Sequence, residues 1–274
     1  MYLIVLIAYV VLAVVLQILV GNFPVSFMAF PVNLIFMLLW GLVVYWLYRD
    51  RRNSGFVRLM LSPAATVSGL SLFVAACLVL GFGVQDFSSS WVFVAVLLFL
   101  MTHLLFVLLR GWKMHGKIRW YFLFNHAGLL IALAAGFFGA PDQHTLRMPV
   151  SRDAMAEEAF LPDGRKTYFD DNEIIFKDFD VSYFDNGAPS AFVAYLSVDG
   201  TDVELKVNHP YRLSFSEQLY LTGYDTAKGN ETEYCVLQVV RDPWRYFVFA
   251  GILMMLAGAL LLFLKGPSCK DNQI

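Results

Sequence analysis

Six stretches of the chain, each near the ~20 residues a helix needs to cross a bilayer core of about 30 Å, contain no Asp, Glu, Lys or Arg. They cover residues 1–20, 28–48, 63–84, 91–109, 121–140 and 246–264. Inside hydrocarbon the backbone satisfies its own polar groups only as a helix or a closed barrel, and unbroken runs of this length predict helices. Pro31 falls near the start of the second stretch, and proline is tolerated in a first turn, so that helix is expected to begin close to it. Composition agrees with this reading. Of 274 residues 58% are hydrophobic and 15% charged, whereas a soluble domain carries about 25% charged residues. Soluble, disordered and fibrous classes are thereby excluded.

Charge divides the chain into two kinds of segment. Of 22 acidic residues, 19 lie between Asp142 and Asp242, with only 9 of the 20 basic residues. Elsewhere basic residues dominate the longer links: Arg49, Arg51, Arg52 and Arg58 after the second stretch, and Arg110, Lys113, Lys117 and Arg119 after the fourth. Lys265 and Lys270 follow the sixth, while links 21–27 and 85–90 hold no Lys or Arg. By the positive-inside rule both termini are expected in the cytoplasm, with residues 142–245 outside. The first stretch lacks a basic start and a small-x-small site, so it is expected to be a retained helix and not a cleaved signal.

The expected architecture is an α-helical integral membrane protein of six transmembrane helices, with one extracytoplasmic, mostly-β domain between the fifth and sixth. Its parts are a two-helix hairpin at 1–48, which could be peripheral, and a basic cytoplasmic loop at 49–62. A three-helix core at 63–141, the β-rich domain at 142–245, a final span at 246–264 and a cytoplasmic tail at 265–274 complete it. Within the polar domain, 173–184, 191–198, 202–207, 218–224 and 233–241 are rich in β-branched and aromatic residues. Turn signals separate them at Asn186-Gly187, Asp199-Gly200, 208–210 and Gly229-Asn230, which predicts an antiparallel sheet or small sandwich. Residues 149–168 are expected to be a loop or short helix. The acidic excess disfavours nucleic acid and anionic lipid as partners of this domain. Cys77, Cys235 and Cys269 fall in three different compartments, so no internal disulfide and no CxxC pair is expected. The chain has no CxxCH motif for covalent haem.

Five histidines remain: His103, His115, His126, His144 and His209. His115 belongs to a basic loop, His209 to a turn, and His144 is either a ligand or a bystander. His103 and His126 lie inside uncharged spans, where an ionisable group faces a cavity or a partner. His103 lies six residues before the end of the fourth span and His126 five residues into the fifth, so at 1.5 Å per residue both are expected roughly 8–9 Å inside the inner boundary. Neutral imidazole is a common iron ligand, so the pair points either to a metal or haem site or to histidines hydrogen-bonded across the bundle. A transporter is disfavoured, because no inverted repeat or paired broken helices appear.

Residues 125–139 (NHAGLLIALAAGFFG) resemble the third span of the ResB/CcsB family of system II cytochrome c biogenesis. DFDVSY at 178–183, Asn186-Gly187, VNHP at 207–210, QLYLTGYD at 218–225 and LQVVRDP at 237–243 follow that family's external domain in order, before a final span. The resemblance covers about residues 63–265, leaving the hairpin 1–48 as an addition. It implies a multi-pass protein of the bacterial cytoplasmic membrane that works with a CcsA/ResC-like partner to carry haem b, held non-covalently, outward. The complex attaches that haem to the CxxCH cysteines of apocytochrome c, so the chain would be a subunit of a haem lyase (cytochrome c synthase) and not an enzyme alone. It further implies that His126 is an axial haem ligand opposite a partner histidine. His103 matches no family histidine and stands as an alternative second ligand or a neighbour of the first. Arg110, Lys113, Lys117 and Arg119 are placed either to meet the haem propionates or to serve only as positive-inside charge. The alternative function is a non-catalytic membrane scaffold whose outer domain recruits a partner protein.

Overall fold

The computed structural model describes residues 2–114, 116–169 and 172–265; His115, Lys270 and Cys269 lie outside them. The chain divides into two compact units, one of Met1–Pro141 with Trp244–Ile274 and one of Asp142–Pro243.

The first unit is helical. Its helices are α1 (Tyr2–Val20), α2 (Val32–Asp50), α3 (Gly55–Met60), α4 (Pro63–Gly81), α5 (Trp91–Gly111), α6 (Trp120–Gly139) and α7 (Arg245–Lys265). Among the described residues, α2, α4, α5, α6 and α7 are long and apolar enough to cross a membrane, and α1 is a shorter apolar helix over Ile4–Val20. With the second unit, this makes a helical membrane protein carrying a β-rich domain.

Pro31 caps α2, one residue before the helix proper, and a single 3₁₀ turn at Val25–Met28 precedes it. The second helix therefore starts four residues later than residue 28, because proline offers no N–H to continue a helix from before it. The 49–62 link is not a plain loop, since it contains α3. Ser54 caps that helix by accepting from the Val57 N–H at 3.3 Å, and Ser62 caps α4 through the Ala65 N–H at 3.3 Å. Ser90 does the same for α5, through Phe93 at 3.1 Å. Each cap satisfies a first-turn donor that would otherwise lack a partner.

Helix α5 is the hub, packing against α1, α2, α3, α4 and α6. The N-terminal hairpin is docked on the bundle and not peripheral. The Tyr9 hydroxyl donates to the Ala95 carbonyl at 2.8 Å, and the Trp40 indole donates to the Thr102 hydroxyl at 3.0 Å. The Trp91 N–H donates to the Gln17 side chain at 2.9 Å, and buried Asn33 donates to the Phe138 carbonyl at 2.7 Å. Polar links of this kind fasten helices where hydrocarbon supplies no hydrophobic drive. A two-residue hairpin, β1 (Lys113–Met114) with β2 (Lys117–Ile118), joins α5 to α6.

The second unit is an antiparallel β-sandwich. Its larger sheet runs β5-β4-β3-β11-β10-β9, formed by Lys166–Tyr168, Glu158–Phe160, His144–Ser151, Tyr234–Arg241, Glu217–Tyr224 and Tyr211–Arg212. Its smaller sheet is β6-β7-β8, formed by Ile174–Tyr183, Pro189–Val198 and Thr201–Lys206. Side chains from both sheets share one core, with Met148, Phe176, Leu196, Leu205, Leu219 and Leu237 at its centre. Asp199 (φ 49°) and Gly200 (φ 76°) close the β7–β8 hairpin with two consecutive left-handed residues, the geometry that matches strand twist in a two-residue turn. A bulge between Phe176 and Asp178 leaves Lys177 and Asp178 both exposed, then restores the alternation at Phe179 and Val181.

The expectation of a loop or short helix over 149–168 is overturned. This segment supplies the end of β3 and all of β4 and β5. Strands β4 and β5 have three residues each, with β5 at the sheet edge and β4 beside it, too short to show an alternation in sequence. Buried Cys235 has its thiol pushed up from 9.0 to about 12 by desolvation. A protonated thiol is a poor nucleophile, so we expect no maleimide labelling of Cys235 in the folded protein near neutral pH and full labelling after denaturation. Labelling of the native unit at the rate of a free thiol would contradict this packing.

Candidate functional site

Helices α6 and α7 run antiparallel and pack closely through small residues. A Cβ added at Gly128 would lie 2.6 Å from the Gly251 carbonyl, and one at Gly258 would lie 2.7 Å from the Asn125 backbone nitrogen. Glycines at these points let the two backbones touch, the usual device where helices meet in a membrane. Beyond Gly258 the pair opens into a groove of about 590 Å³, lined by Tyr121, Phe122, Asn125, His126, Ala259, Leu262 and Phe263.

His126 is half-buried in this groove. Its Nδ1 lies 3.0 Å from the Phe122 carbonyl one turn earlier, and a carbonyl only accepts, so Nδ1 carries the proton. Nε2 is then the nitrogen with the free lone pair. The imidazole stacks on the Phe122 ring, with centroids 3.9 Å apart and planes 23° from parallel. Phe122 is held in turn by Gly111 at the end of α5, where any Cβ would collide with its ring. One hydrogen bond and one stacked ring thus fix both the tautomer and the plane of His126.

His103 is arranged differently. It is 5% exposed. Its Nδ1 donates to the Met60 carbonyl at 2.7 Å, and its Nε2 lies 3.1 Å from the Thr66 hydroxyl. Both ring nitrogens are engaged, tying α5 to the end of α3 and the start of α4. His103 is also absent from the lining of the His126 groove. Matched depth does not bring the two histidines to one site, and the ligand role expected of His103 is not supported by this geometry. It is the histidine hydrogen-bonded across the bundle. His144 begins β3 opposite Arg241, and His209 lies in the turn after β8, its Nδ1 3.1 Å from the Val207 carbonyl.

Of the basic residues considered as anion partners, Arg110 donates to the Leu61 carbonyl at 3.1 Å. Arg119 is at the groove. Its Nε and Nη2 each donate to the Tyr121 hydroxyl at 3.2 Å, and its guanidinium lies 4.8 Å from the Phe122 ring centroid. Lys265, which ends α7, brings its Nζ to 4.6 Å from the Tyr121 ring. Tyr121, Phe122, Lys265 and the facing glycines of α7 are the site residues that a reading by spans does not reveal. The signal that could have found them is the small-residue spacing Gly128, Ala132 on one helix and Gly251, Gly258 on the other.

A solved structure of the cytochrome c heme lyase CcmF resembles this chain at 15% sequence identity and a TM-score of 0.35. The likeness covers 70% of this chain and 33% of that one, so the chain spans about a third of the lyase's length. No curated protein matches the chain. Residues 115–233, which contain Arg119, Tyr121, His126, all of α6 and most of the β-sandwich, match the ResB-like family. That match is a similarity of the segment 115–233, less than half of the chain's 274 residues, to the ResB-like family.

Proposed function

We propose that the chain is a membrane subunit of cytochrome c biogenesis, of the system II kind, that takes up haem as cargo through His126. With a CcsA/ResC-like partner it passes that haem outward for attachment to the CxxCH cysteines of apocytochrome c. The observation that carries the reading is the fixed tautomer of His126: Nδ1 is committed to the Phe122 carbonyl, and Nε2 is left for an iron. The groove suits such a cargo. Its volume of about 590 Å³ falls within the roughly 300–1,000 Å³ of ordinary ligand pockets, and its walls are mainly aromatic and aliphatic. Haem iron is commonly held by axial imidazole, and an ordered hydrogen bond on the far nitrogen raises the basicity of the ligating one. His126 supplies one axial position, and a histidine of the partner supplies the other.

In this reading α1 is a sixth span, both termini are cytoplasmic, and the sandwich of residues 142–243 faces outward from a bacterial cytoplasmic membrane. There it docks the partner or the apocytochrome.

The test is haem content of the chain coexpressed with its partner. Wild type is expected to copurify haem with a bis-histidine spectrum, and His126→Ala to lose most of it together with cytochrome c maturation. His103→Ala is expected to lower thermal stability by about 1–3 kcal/mol, through the buried partners it abandons, while keeping the spectrum. The competing function is a scaffold whose sandwich alone recruits a partner. It is favoured if both histidine variants keep full haem and maturation while deletion of 142–243 abolishes maturation.

A further inference from the structure

We propose that Arg119 and Lys265 form a two-point carboxylate clamp at the mouth of the His126 groove. The clamp selects a flat, apolar ligand that carries two acidic side groups. The inference rests on the haem reading above and adds to it which groups of the cargo are recognised and by what.

Three observations carry it. First, the two cations are far apart in sequence, Arg119 capping the start of α6 and Lys265 ending α7, and they converge on one side chain. Arg119 donates twice to the Tyr121 hydroxyl at 3.2 Å, and Lys265 lies 4.6 Å over the same ring. Tyr121 and Phe122, which carry these cations, both line the groove, so the positive charge stands at its rim and not on a distant loop.

Second, neither cation has a carboxylate partner among the described residues. Ion pairs there include those of Arg49, Arg152, Arg165, Lys166, Lys177, Lys206, Lys228 and Arg241. Two like charges gathered beside one ring, next to an apolar wall, repel each other. An anion between them removes that repulsion.

Third, the neighbouring basic residues show what simple interfacial charge looks like in this bundle. Arg51 and Arg52 fold back over Trp46 and Tyr48 of their own helix, at 5.8 and 5.3 Å, and Arg110 satisfies a helix-end carbonyl. Arg119 and Lys265, by contrast, are brought together from α6 and α7 beside a cavity.

The chemistry fits a dicarboxylate. A guanidinium takes a carboxylate through a planar fork, and an ammonium takes a second one as a point charge. The groove between them accepts the apolar body, and His126 lies in its wall. A lipid phosphate offers anionic oxygens of the same kind, so the probes must separate the two sources.

The purified chain in nanodiscs is titrated with haem and with haem dimethyl ester, whose carboxylates are blocked. Each titration uses zwitterionic lipid alone and zwitterionic lipid mixed with phosphatidylglycerol. The wild-type chain is compared with Arg119→Gln/Lys265→Gln. The double variant is expected to bind haem about tenfold or more weakly, since each charge-assisted hydrogen bond is worth that much. It is expected to bind the ester as wild type does and to keep the His126-dependent Soret band with both ligands. Equal weakening for haem and ester overturns the clamp and makes the cations structural. So does unchanged haem affinity. A wild-type affinity for haem no better than for the ester, falling as phosphatidylglycerol is added, assigns the cations to lipid headgroups and also overturns it. If His126→Ala leaves the spectrum intact while the double substitution weakens haem but not the ester, the clamp stands and the ligand assignment fails.

Discussion

Gly251→Leu is expected to pull α6 and α7 apart and to abolish the groove. A Cβ at residue 251 would lie 2.6 Å from the Gly128 carbonyl and 2.7 Å from the Ala132 nitrogen. Both are backbone atoms, which cannot swing aside as a side-chain tip can. Overpacking in a tight core ordinarily costs about 1–3 kcal/mol, and a branched side chain driven into backbone belongs at or above the top of that range. The expected result is a lower melting temperature in detergent and loss of ligand binding at His126, whose carrier helix shifts. Gly136→Ala on the same helix is the control. Nothing stands within 4 Å of its added methyl, so it should melt as wild type does or slightly higher, given the better helix propensity of alanine. A Gly251→Leu protein with wild-type melting would show that the two helices do not meet where described.

Phe176→Ala is expected to unfold the sandwich without unfolding the helical unit. Phe176 is fully buried. It sits on β6, in the core that both sheets share, and Arg152 packs over its ring at 5.6 Å. Replacing a buried phenylalanine by alanine costs about 3–5 kcal/mol, a large fraction of what a domain of this size has to lose. Hydrogen exchange on the full-length protein should then report lost protection across 142–243, with α5, α6 and α7 still protected. Tyr168→Ala, at a side chain 76% exposed, should change nothing beyond about 0.5 kcal/mol. Protection of the sandwich unchanged by Phe176→Ala would contradict the shared core.

The features legible in the sequence are those that a period or a missing charge records directly. Uncharged runs place α4, α5, α6 and α7 to within a few residues, because a charge inside hydrocarbon is too costly to appear by accident. Strands β6, β7, β8, β10 and β11 are readable for the same kind of reason: they are long enough to alternate, and Asp199-Gly200 marks a tight turn. Strands β4, β5 and β9 are not readable, since strands of two or three residues take their conformation from a neighbour and not from their own pattern. Helix α3 escapes notice because its six residues, capped by Ser54, are too few to record a helical period.

The site shows a similar division. His126 stands out as an ionisable side chain in an uncharged span, and the reading of its depth needs only the helical rise. Its surroundings depend on α7, more than a hundred residues later in the chain, and no local pattern announces Lys265 or Phe263 as neighbours of Tyr121 and His126. His103 shows the limit of depth as an argument. Two histidines at one level on successive helices face different ways, because a helix turns about 100° per residue while it climbs only 1.5 Å. Whether a nitrogen is free is decided by Met60 and Thr66 in one case and by Phe122 in the other.

The central claim is that Nε2 of His126 binds iron, and the direct measurement is low-temperature EPR of the haem copurified with the coexpressed pair. Wild type should give a low-spin signal from two imidazoles. His126→Ala should give a high-spin signal that added imidazole converts back to low spin, because the small ligand enters the space the side chain left. A low-spin signal identical to wild type in His126→Ala, at full occupancy and without added imidazole, would contradict it.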